Sequence, residues 1–257
     1  MKLVTWNLNS IRARTDRLLA WLDRERPDVL CMQETKVEDA AFPLEPLRAR
    51  GYEVAVFGQR SYNGVAIAST QPLADVTRGF GDGPHDDDDD ARTIAATTHG
   101  VRVVCVYVPN GQELTSDRYP YKLEWLRRLR AYLDRTATPD APLAVCGDWN
   151  VTPDDRDVWS PEKWQGLIHC SPAERAALAE VSAFGLVDLF RAHNGDAKAY
   201  SWWDYRGVSF FKDQGLRIDL ILATRPLAER CTACTIDRAA RKGQDASDHA
   251  PVIATLS

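Results

Sequence analysis

The sequence predicts an α/β fold in which two β-sheets pack face to face with helices outside, and three observations support this class. Short segments rich in Val, Ile and aromatic residues recur along the whole chain, bounded by Gly, Pro or Asp. Amphipathic helical segments lie between several of them. No linker rich in Pro, Gly or Ser and no internal repeat divides the 257 residues, so we expect a single domain spanning residues 1–257.

The strand-like segments combine β-branched and aromatic residues with turn-forming residues at their ends. Asn63 and Gly64 are typical of a hairpin, although the gap between the two segments they separate is longer than a two-residue turn. We therefore expect strands from the first residues of the chain to the last. The predicted strands are Leu3–Asn7, Val29–Glu34, Tyr52–Phe57, Gly64–Ser69, Thr93–Thr97, Val101–Val108, Leu143–Cys146, Ile218–Ala223 and Val252–Leu256.

Helical periodicity is found between these predicted strands. Arg12–Glu25 and Tyr121–Arg135 place leucines three to four residues apart, so each helix would bury one face. Residues 171–174, Ser-Pro-Ala-Glu, match a capping box with proline at the first helical position. They predict a third helix that continues through Ala183.

The net charge is −5, from 32 Lys and Arg residues against 37 Asp and Glu residues. The run Asp86–Asp90 supplies five of the negative charges, so the rest of the chain is balanced. A neutral body can still bind phosphates where Arg and Lys surround the site, so the charge does not exclude a nucleic acid. Blocks of like charge repel one another and stay exposed, and we expect this run to lie in a solvated loop.

The apolar segments and the cysteines allow predictions about membrane association, cellular location, zinc binding and disulfides. No stretch of about 18 apolar residues occurs, so we expect no membrane partner. The first residues have strand character and lack the apolar region of a signal peptide, which predicts a cytoplasmic protein. Cys231 and Cys234 form a CxxC pair, but no second pair of zinc ligands is evident. We therefore expect neither a zinc site nor disulfides.

Polar residues interrupt the apolar segments near strand ends at five places. Any one of them could be a turn or cap residue, because Asp and Asn favour turns. Asp219 is different, since it lies within an apolar segment and a buried acid is costly unless it is paired or bound to a metal. Five such places in one chain indicate a shared task. The residues are Asn7, Glu34, Asp148 with Asn150, Asp219, and Asp248 with His249.

These residue types suit a metal-dependent phosphodiesterase. Carboxylate and amide oxygens are the ligands that Mg²⁺ or Mn²⁺ prefers, and Glu34 with Asn7 beside it is the first choice. The chain contains no GxSxG motif, no P-loop and no GxGxxG after a strand. Their absence argues against a serine hydrolase, an NTPase and a dinucleotide-dependent oxidoreductase.

Hydrolysis at phosphorus also requires a positioned nucleophile and stabilisation of the negative charge. Asp148 can orient or deprotonate a water molecule, and Asn150 can donate to a phosphate oxygen. His249 can stabilise the pentavalent phosphate, with its tautomer fixed by Asp219. The strand-end residues therefore supply each of the parts that this reaction class needs.

Several short segments, spread from residue 1 to about residue 256, carry a family resemblance. They are Leu3–Asn9, Leu30–Lys36, Tyr107–Asn110, Gly147–Asn150, Tyr200–Tyr205, Leu216–Asp219 and Ser247–Pro251. On these segments the chain resembles the exonuclease III family of DNA repair enzymes, within the endonuclease/exonuclease/phosphatase superfamily. Gly147–Asn150 and Ser247–Pro251 alone would indicate only the superfamily, which includes lipid and inositol phosphatases. The match along the whole chain points to DNA.

The resemblance implies a four-layered α/β sandwich with two mixed β-sheets. It also implies Mg²⁺-dependent cleavage of double-stranded DNA on the 5′ side of abasic sites, together with 3′-to-5′ exonuclease and 3′-end-trimming activity, and a monomeric protein. Mn²⁺ could replace Mg²⁺. By matched position, the metal would be bound by Glu34, with Asn7 and Asp248 close by. Tyr107 would lie against the scissile phosphate, Asp148 would orient the attacking water and Asn150 would contact the phosphate. Asp219 and His249 would form a hydrogen-bonded pair at the phosphate.

The resemblance further implies a pocket and a set of phosphate contacts. Trp202, Leu216 and Ile218 match the apolar pocket that accepts the extruded sugar of an abasic site, which is cheap to flip out because it has no base to unstack. Phosphate contacts would position the DNA without reading its sequence. The candidates for these contacts are Arg12, Arg92, Asn110 and Lys122.

Two alternatives remain open on the sequence alone. A phosphatase of the same superfamily would act on lipid or inositol phosphates and would not nick DNA. A non-catalytic module on the same fold would bind abasic DNA without cleaving it, although the complete set of acids, amides and histidine argues against this.

Overall fold

The computed structural model of the chain describes residues 1–82 and 90–257, which form two six-stranded β-sheets. Most strands of both sheets are buried, which accounts for their content of Val, Ile and Ala. In chain order the strands are β1 (Lys2–Asn7), β2 (Val29–Gln33), β3 (Glu53–Phe57), β4 (Val65–Ser69), β5 (Ala74–Arg78), β6 (Thr93–Thr98), β7 (Val101–Tyr107), β8 (Leu143–Asp148), β9 (Leu186–Asp188), β10 (Asp219–Thr224), β11 (Cys231–Ile236) and β12 (Val252–Leu256).

The same residues contain three longer helices and several short ones. They are α1 (Ile11–Glu25), α2 (Leu44–Arg48), α3 (Arg118–Thr136), α4 (Pro161–Trp164), α5 (Pro172–Ser182), α6 (Leu189–Asn194) and α7 (Arg225–Ala228). Ser10 caps α1 by accepting a hydrogen bond from the backbone N–H of Ala13. The capping box predicted for α5 is confirmed, because Ser171 and Glu174 accept each other's backbone N–H groups.

Each sheet is mixed and has one parallel strand pair near its centre. The strand order is β11-β12-β1-β2-β4-β3 in the first sheet and β5-β6-β7-β8-β10-β9 in the second. The parallel pairs are β1 with β2 and β7 with β8. Antiparallel strands flank each pair: β12 and β4 in the first sheet, β6 and β10 in the second. The two sheets therefore share the same central arrangement.

The sheets pack face to face, and helices cover their outer faces. Ile67 of the first sheet and Ile94 of the second belong to one buried cluster between them. On the outside of the first sheet, Leu18 and Trp21 of α1 pack against its strands. Leu129 of α3 packs against the second sheet in the same way, together with α5. This confirms the predicted four-layered α/β sandwich.

Three strands and the short helices were not predicted from the sequence. The unpredicted strands are β5, β9 and β11, and each lies at an edge of its sheet. An edge strand is half exposed and carries a weak apolar pattern, as the largely exposed β5 illustrates. The unpredicted helices contain four to six residues, too few to display a helical period.

Only the last residue of the acidic run Asp86–Asp90 belongs to the described residues. Residues 86–89 of the run lie outside the described residues. Asp90, its last member, accepts hydrogen bonds from the side chains of Asn63 and Arg92. Among the described residues, no helix combines the length and the apolar character needed to cross a bilayer.

Candidate active site

The two parallel strand pairs bring polar side chains to one edge of the sandwich. Asn7 is the last residue of β1, and Glu34 follows the end of its parallel neighbour β2. Asp148 ends β8, and Asp219 begins the antiparallel β10 directly opposite it. His249 precedes β12, which runs antiparallel to β1. The carboxyl ends of parallel strands and the amino ends of their antiparallel neighbours meet at the same edge, so all five side chains converge.

The Asn7 side chain links the acids of the two sheets. Its Nδ2 atom donates to Glu34 Oε1 at 2.8 Å and to Asp148 Oδ2 at 2.9 Å. The other Glu34 oxygen, Oε2, forms an ion pair with Lys36 Nζ at 2.7 Å. Glu34 itself has a left-handed backbone, with φ of 50°, a strained conformation that is common at functional sites. One buried amide therefore holds two carboxylates together that would otherwise repel.

A second group consists of Asp219, His249 and Asp148. His249 Nδ1 lies 2.8 Å from Asp219 Oδ2, and its Nε2 faces Asp148 Oδ2 at 3.8 Å. Ser201 Oγ accepts hydrogen bonds from the backbone N–H groups of Ile218 and Asp219, which fixes the start of β10. Asp219 Oδ1 is buried and has no hydrogen-bond partner among the described residues. The Asp219 carboxylate is thus committed to orienting the imidazole.

Burial and charge shift the pKa values of this group in opposite directions. Burial by itself would lower the pKa of His249, but the carboxylates of Asp219 and Asp148 outweigh it and raise that pKa to about 10. Burial raises the pKa of Asp148 to about 7, and the neighbouring His249 opposes the increase. The protein alone therefore favours an imidazolium beside an acid whose pKa lies close to neutral, as expected for groups that exchange protons.

Tyr107 and Asn150 form the wall of the site beside Asp148. Tyr107 pairs in register with Asp148, and burial together with the nearby Glu34 raises the pKa of its phenol well above the ordinary value. The Arg92 guanidinium lies 4.8 Å from the centre of the Tyr107 ring. Asn150 has a left-handed backbone with φ of 51°, and its Oδ1 accepts from Asn110 Nδ2 at 3.3 Å. The structure brings these predicted residues together.

Asp248 lies next to the cluster but has other partners. Its Oδ1 accepts from Asn9 Nδ2 at 2.9 Å, and its Oδ2 accepts from Trp202 Nε1 at 3.0 Å. Asn9 in turn accepts from Lys36, the residue that also pairs with Glu34. Asp248 therefore orients Asn9 and Trp202 in this structure, and its role as a metal ligand stays a prediction.

The three residues predicted for the sugar pocket lie together. Leu216 is fully buried and Ile218 is 2% exposed, whereas Trp202 is half-buried. The ring of His169 lies next to Trp202, with the two ring centres 6.3 Å apart. His169 Nδ1 lies 2.6 Å from the carbonyl oxygen of Asn150, which anchors the ring. His169 is therefore a direct neighbour of the predicted pocket.

Lys122 does not agree with its predicted role as a phosphate contact. Its side chain is fully buried and forms an ion pair with Glu174. The same ammonium group donates to the carbonyl oxygens of Asn110 at 3.0 Å and Asn150 at 2.7 Å. Lys122 therefore cannot reach a phosphate at the surface, and it instead holds the two loops that carry Asn110 and Asn150.

The remaining predicted phosphate contacts occupy the rim of the site. Arg12 is exposed and lines a cavity of about 420 Å³ together with Lys36 and Arg60. Arg92 and Asn110 line another cavity of about 410 Å³. These positions are compatible with a phosphate backbone that crosses the edge of the sandwich, and the contacts stay predictions.

The donor atoms fit a divalent cation that prefers oxygen. One oxygen from each of Glu34 and Asp148 and a ring nitrogen of His249 lie within 4.8 Å of one another. His249 Nδ1 is held by Asp219, and Mg²⁺ prefers oxygen ligands to nitrogen ligands. The groups that could hold the ion are therefore the oxygens of Glu34, Asp148 and Asn7. Asp148 was not among the ligands expected from the sequence.

Three residues around the site were missed by the sequence analysis. Lys36 follows Glu34 by two residues, and a cation beside a predicted ligand would have been a usable indication. The sequence pattern predicts Glu174 only as a helix-capping residue, but in the structure Glu174 also forms an ion pair with Lys122. His169 lies in a loop between α4 and α5 with no strand or motif around it, so no sequence pattern could have placed it in the pocket.

The chain matches known proteins along almost its whole length. Residues 4–249 match the model of the Endonuclease/Exonuclease/phosphatase family. The chain is 36% identical over 265 residues to exodeoxyribonuclease III of Haemophilus influenzae, covering 98% of each protein.

Two solved structures are similar over the full length. An AP endonuclease from Archaeoglobus fulgidus is 40% identical, with a TM-score of 0.96 and coverage of 100% of this chain and 99% of that one. A 3′-5′ exonuclease from Neisseria meningitidis, NExo, is 38% identical, with a TM-score of 0.94 and full coverage of both chains. The two relatives are about equally similar, so likeness alone does not separate endonuclease from exonuclease action.

Proposed function

The chain belongs to the endonuclease/exonuclease/phosphatase family and is a DNA repair nuclease, and on this basis we propose that it hydrolyses phosphodiester bonds of double-stranded DNA with Mg²⁺ as its cofactor. Mn²⁺ is the expected substitute. The substrates we propose are 3′ ends and abasic sites, cleaved on their 5′ side. Residues 1–257 would act as one domain and as a monomer. The expected location in the cytoplasm stays a prediction.

The observation that carries this proposal is the convergence of Asn7, Glu34 and Asp148 with the Asp219–His249 pair at one edge of the sandwich. Glu34, Asp148 and Asn7 would hold the metal, which when bound supplies a Lewis acid that draws charge from a phosphate oxygen. Asp148 would orient the attacking water. His249, kept in place by Asp219, would donate a hydrogen bond from Nε2 to the charged phosphate.

We propose that the His169 ring beside the predicted sugar pocket favours action at 3′ ends over action at abasic sites. Trp202, Leu216 and Ile218 are the residues predicted to accept an abasic sugar, and the His169 ring occupies the space beside Trp202. We expect an extruded sugar to compete for space with His169, which is held by the carbonyl oxygen of Asn150, and with Trp202, which is held by Asp248. A terminal nucleotide would avoid this competition if its phosphodiester approaches the acids without an extruded sugar.

Two duplexes of the same sequence test the proposal, one with a recessed 3′ end and one with an internal abasic site. With Mg²⁺, we expect rapid shortening of the recessed strand and slower nicking at the abasic site, and no reaction in EDTA. His169→Ala should raise the ratio of abasic nicking to 3′ shortening.

Faster turnover of lipid or inositol phosphates than of both duplexes would support the phosphatase alternative. DNA binding without cleavage in either Mg²⁺ or Mn²⁺ would support the non-catalytic module.

A further inference from the structure

Within the part of the chain that the structure describes, Arg241 is a buried cation that forms no ion pair. Its side chain is 8% exposed, and it ends a short 3₁₀ turn, Arg238–Arg241. Within residues 1–82 and 90–257 the Nε atom of Arg241 has no hydrogen-bond partner and the guanidinium forms no ion pair. Burial lowers the pKa of Arg241, which agrees with the lack of a close carboxylate. Burying an unpaired charge is costly, so a ligand that supplies the missing acceptor would be bound favourably.

Aromatic rings hold this guanidinium in place. It lies 4.9 Å from the centre of the Tyr205 ring and 5.1 Å from that of Phe210. Phe210 also stacks under Arg238, whose guanidinium lies 4.2 Å from its centre. These cation–π contacts orient both guanidinium groups. Arg238 also donates to Asp213 and to the carbonyl oxygen of Phe210, whereas the Arg241 guanidinium donates to no group among the described residues. The donors of Arg241 are therefore free to meet a ligand.

The side chain of Arg241 lines a cavity of about 460 Å³, which we call the arginine cavity. Its walls carry three cations and one carboxylate. Arg238 is paired with Asp213 and Asp204 with Arg206, which leaves Arg241 and Lys242 as the wall cations that form no ion pair among the described residues. Phe211 stands at its edge and is 85% exposed, which is unusual for a large aromatic side chain. The cavity is lined by Asp204, Tyr205, Val208, Ser209, Phe210, Phe211, Arg238, Arg241, Lys242 and Gly243.

A nucleotide carries a negatively charged phosphate and an aromatic base. The phosphate complements the excess positive charge of the cavity, and the base complements the exposed Phe211 ring. We propose that the arginine cavity binds a phosphate group of a DNA strand through Arg241 and Lys242, with the adjoining base stacked on Phe211. Guanidinium groups bind phosphate with directional hydrogen bonds, and stacking on an aromatic ring tolerates any base. The assignment rests on the proposed DNA substrate, and it adds a second anchoring point outside the catalytic cluster.

The cavity is joined to the candidate active site by a short chain of contacts. Tyr205 donates from its hydroxyl to the carbonyl oxygen of Ala246, next to the Ser247–Pro251 segment, at 2.7 Å. The same hydroxyl accepts from Arg14, which also donates to the Asn9 carbonyl oxygen at 2.7 Å. Asn9 contacts Asp248. A strand whose scissile phosphate lies at the acids could therefore continue over Tyr205 into the arginine cavity.

The test is the affinity of a fluorescent duplex with a recessed 3′ end, measured in EDTA so that no cleavage occurs. Arg241→Met and Phe211→Ser should each weaken binding about tenfold, the size expected for a lost charge-assisted hydrogen bond or a lost base stack. Arg241→Met should also reduce the slope of log affinity against log salt by about one. Arg127→Met and Val187→Ser are matched controls at exposed positions away from the cavity, and their affinities should equal that of the wild type.

Wild-type affinity and salt slope in both cavity variants would overturn the proposal. Phe211→Ser keeps the test valid if Arg241→Met fails to fold, because the Phe211 ring is exposed. A parallel titration with dAMP separates the two sources of phosphate. If dAMP binding is lost in Arg241→Met while DNA affinity is unchanged, the ligand is a free nucleotide and the strand assignment is wrong. The proposed function fails separately, if the wild type does not cleave DNA in Mg²⁺.

Discussion

The Nδ1 atom of His249 lies 2.8 Å from Oδ2 of Asp219, and both side chains are almost completely buried. This contact fixes the orientation of the imidazole and points its Nε2 atom at Asp148. Asp219 can hold the ring because it is the first residue of β10 and its own backbone N–H is bound by Ser201. The two residues come from different sheets, so the contact also links the two halves of the sandwich at the site.

Replacing Asp219 by asparagine should leave the shape of the site intact but remove the charge that orients and stabilises the imidazolium. We expect Asp219→Asn to lower kcat about 10- to 100-fold with little change in KM, as for other residues that support a group in direct contact with substrate. Asp196→Asn, at an exposed position, is the matched control. An unchanged kcat would show that His249 needs no orienting carboxylate.

Glu34→Gln should weaken metal binding more than it weakens DNA binding. The substitution keeps the hydrogen-bonding size of the side chain but removes the charge that a divalent cation prefers. We expect the Mg²⁺ concentration at half-maximal activity to rise about 10- to 100-fold, measured by titration of the exonuclease reaction. Glu53→Gln, on the exposed side of β3, should behave as the wild type. The ligand assignment is wrong if the Glu34→Gln curve coincides with that of the wild type.

The acids and the histidine of this site could be predicted from the sequence because they lie in short motifs at strand ends. Asp219 was the clearest example, since an acid within an apolar strand requires a partner. The fold class followed from the same alternation of strands and helices. The edge strand β9 could not be predicted, because its three residues are stabilised by pairing with β10, more than 30 residues later in the chain.

The error over Lys122 has a physical cause. The residue lies among charged and aromatic neighbours on α3, and a lysine there is usually exposed. Its burial depends on Glu174, which lies on another helix and is 52 residues away in sequence. The contact between α3 and α5 that brings the pair together is a property of the packed fold. No local pattern in the sequence records it.

The Lys122–Glu174 pair leads to a prediction about stability. Glu174→Gln would leave the buried ammonium of Lys122 without its counter-ion, and we expect it to lower the free energy of unfolding by about 3 kcal/mol. Urea denaturation measures this change. Glu180→Gln changes the same residue type at an exposed position of α5 and should have almost no effect. A loss that is equal in the two variants would mean that the buried pair is not needed for stability.

His169 should make the protein less stable in acid. Burial lowers the pKa of its imidazole from 6.5 to about 3, so between these values the unfolded chain binds a proton that the folded chain does not. The contribution of the neutral His169 side chain to the free energy of unfolding is therefore complete above about pH 6.5, and it is lost progressively as the pH falls toward 3. From pH 7 to pH 5, the free energy of unfolding should fall more steeply in the wild type than in His169→Gln. Parallel curves would contradict the burial of a neutral His169.

The most direct test of the catalytic cluster compares Asp148→Asn with the wild type on the duplex with a recessed 3′ end. If Asp148 orients the attacking water and helps to hold the metal, kcat in saturating Mg²⁺ should fall at least about 100-fold. The affinity for the same DNA in EDTA should stay within the error of the wild-type value, because Asp148 is buried below the DNA-facing edge. A variant that binds DNA normally and turns it over at the wild-type rate would contradict the account.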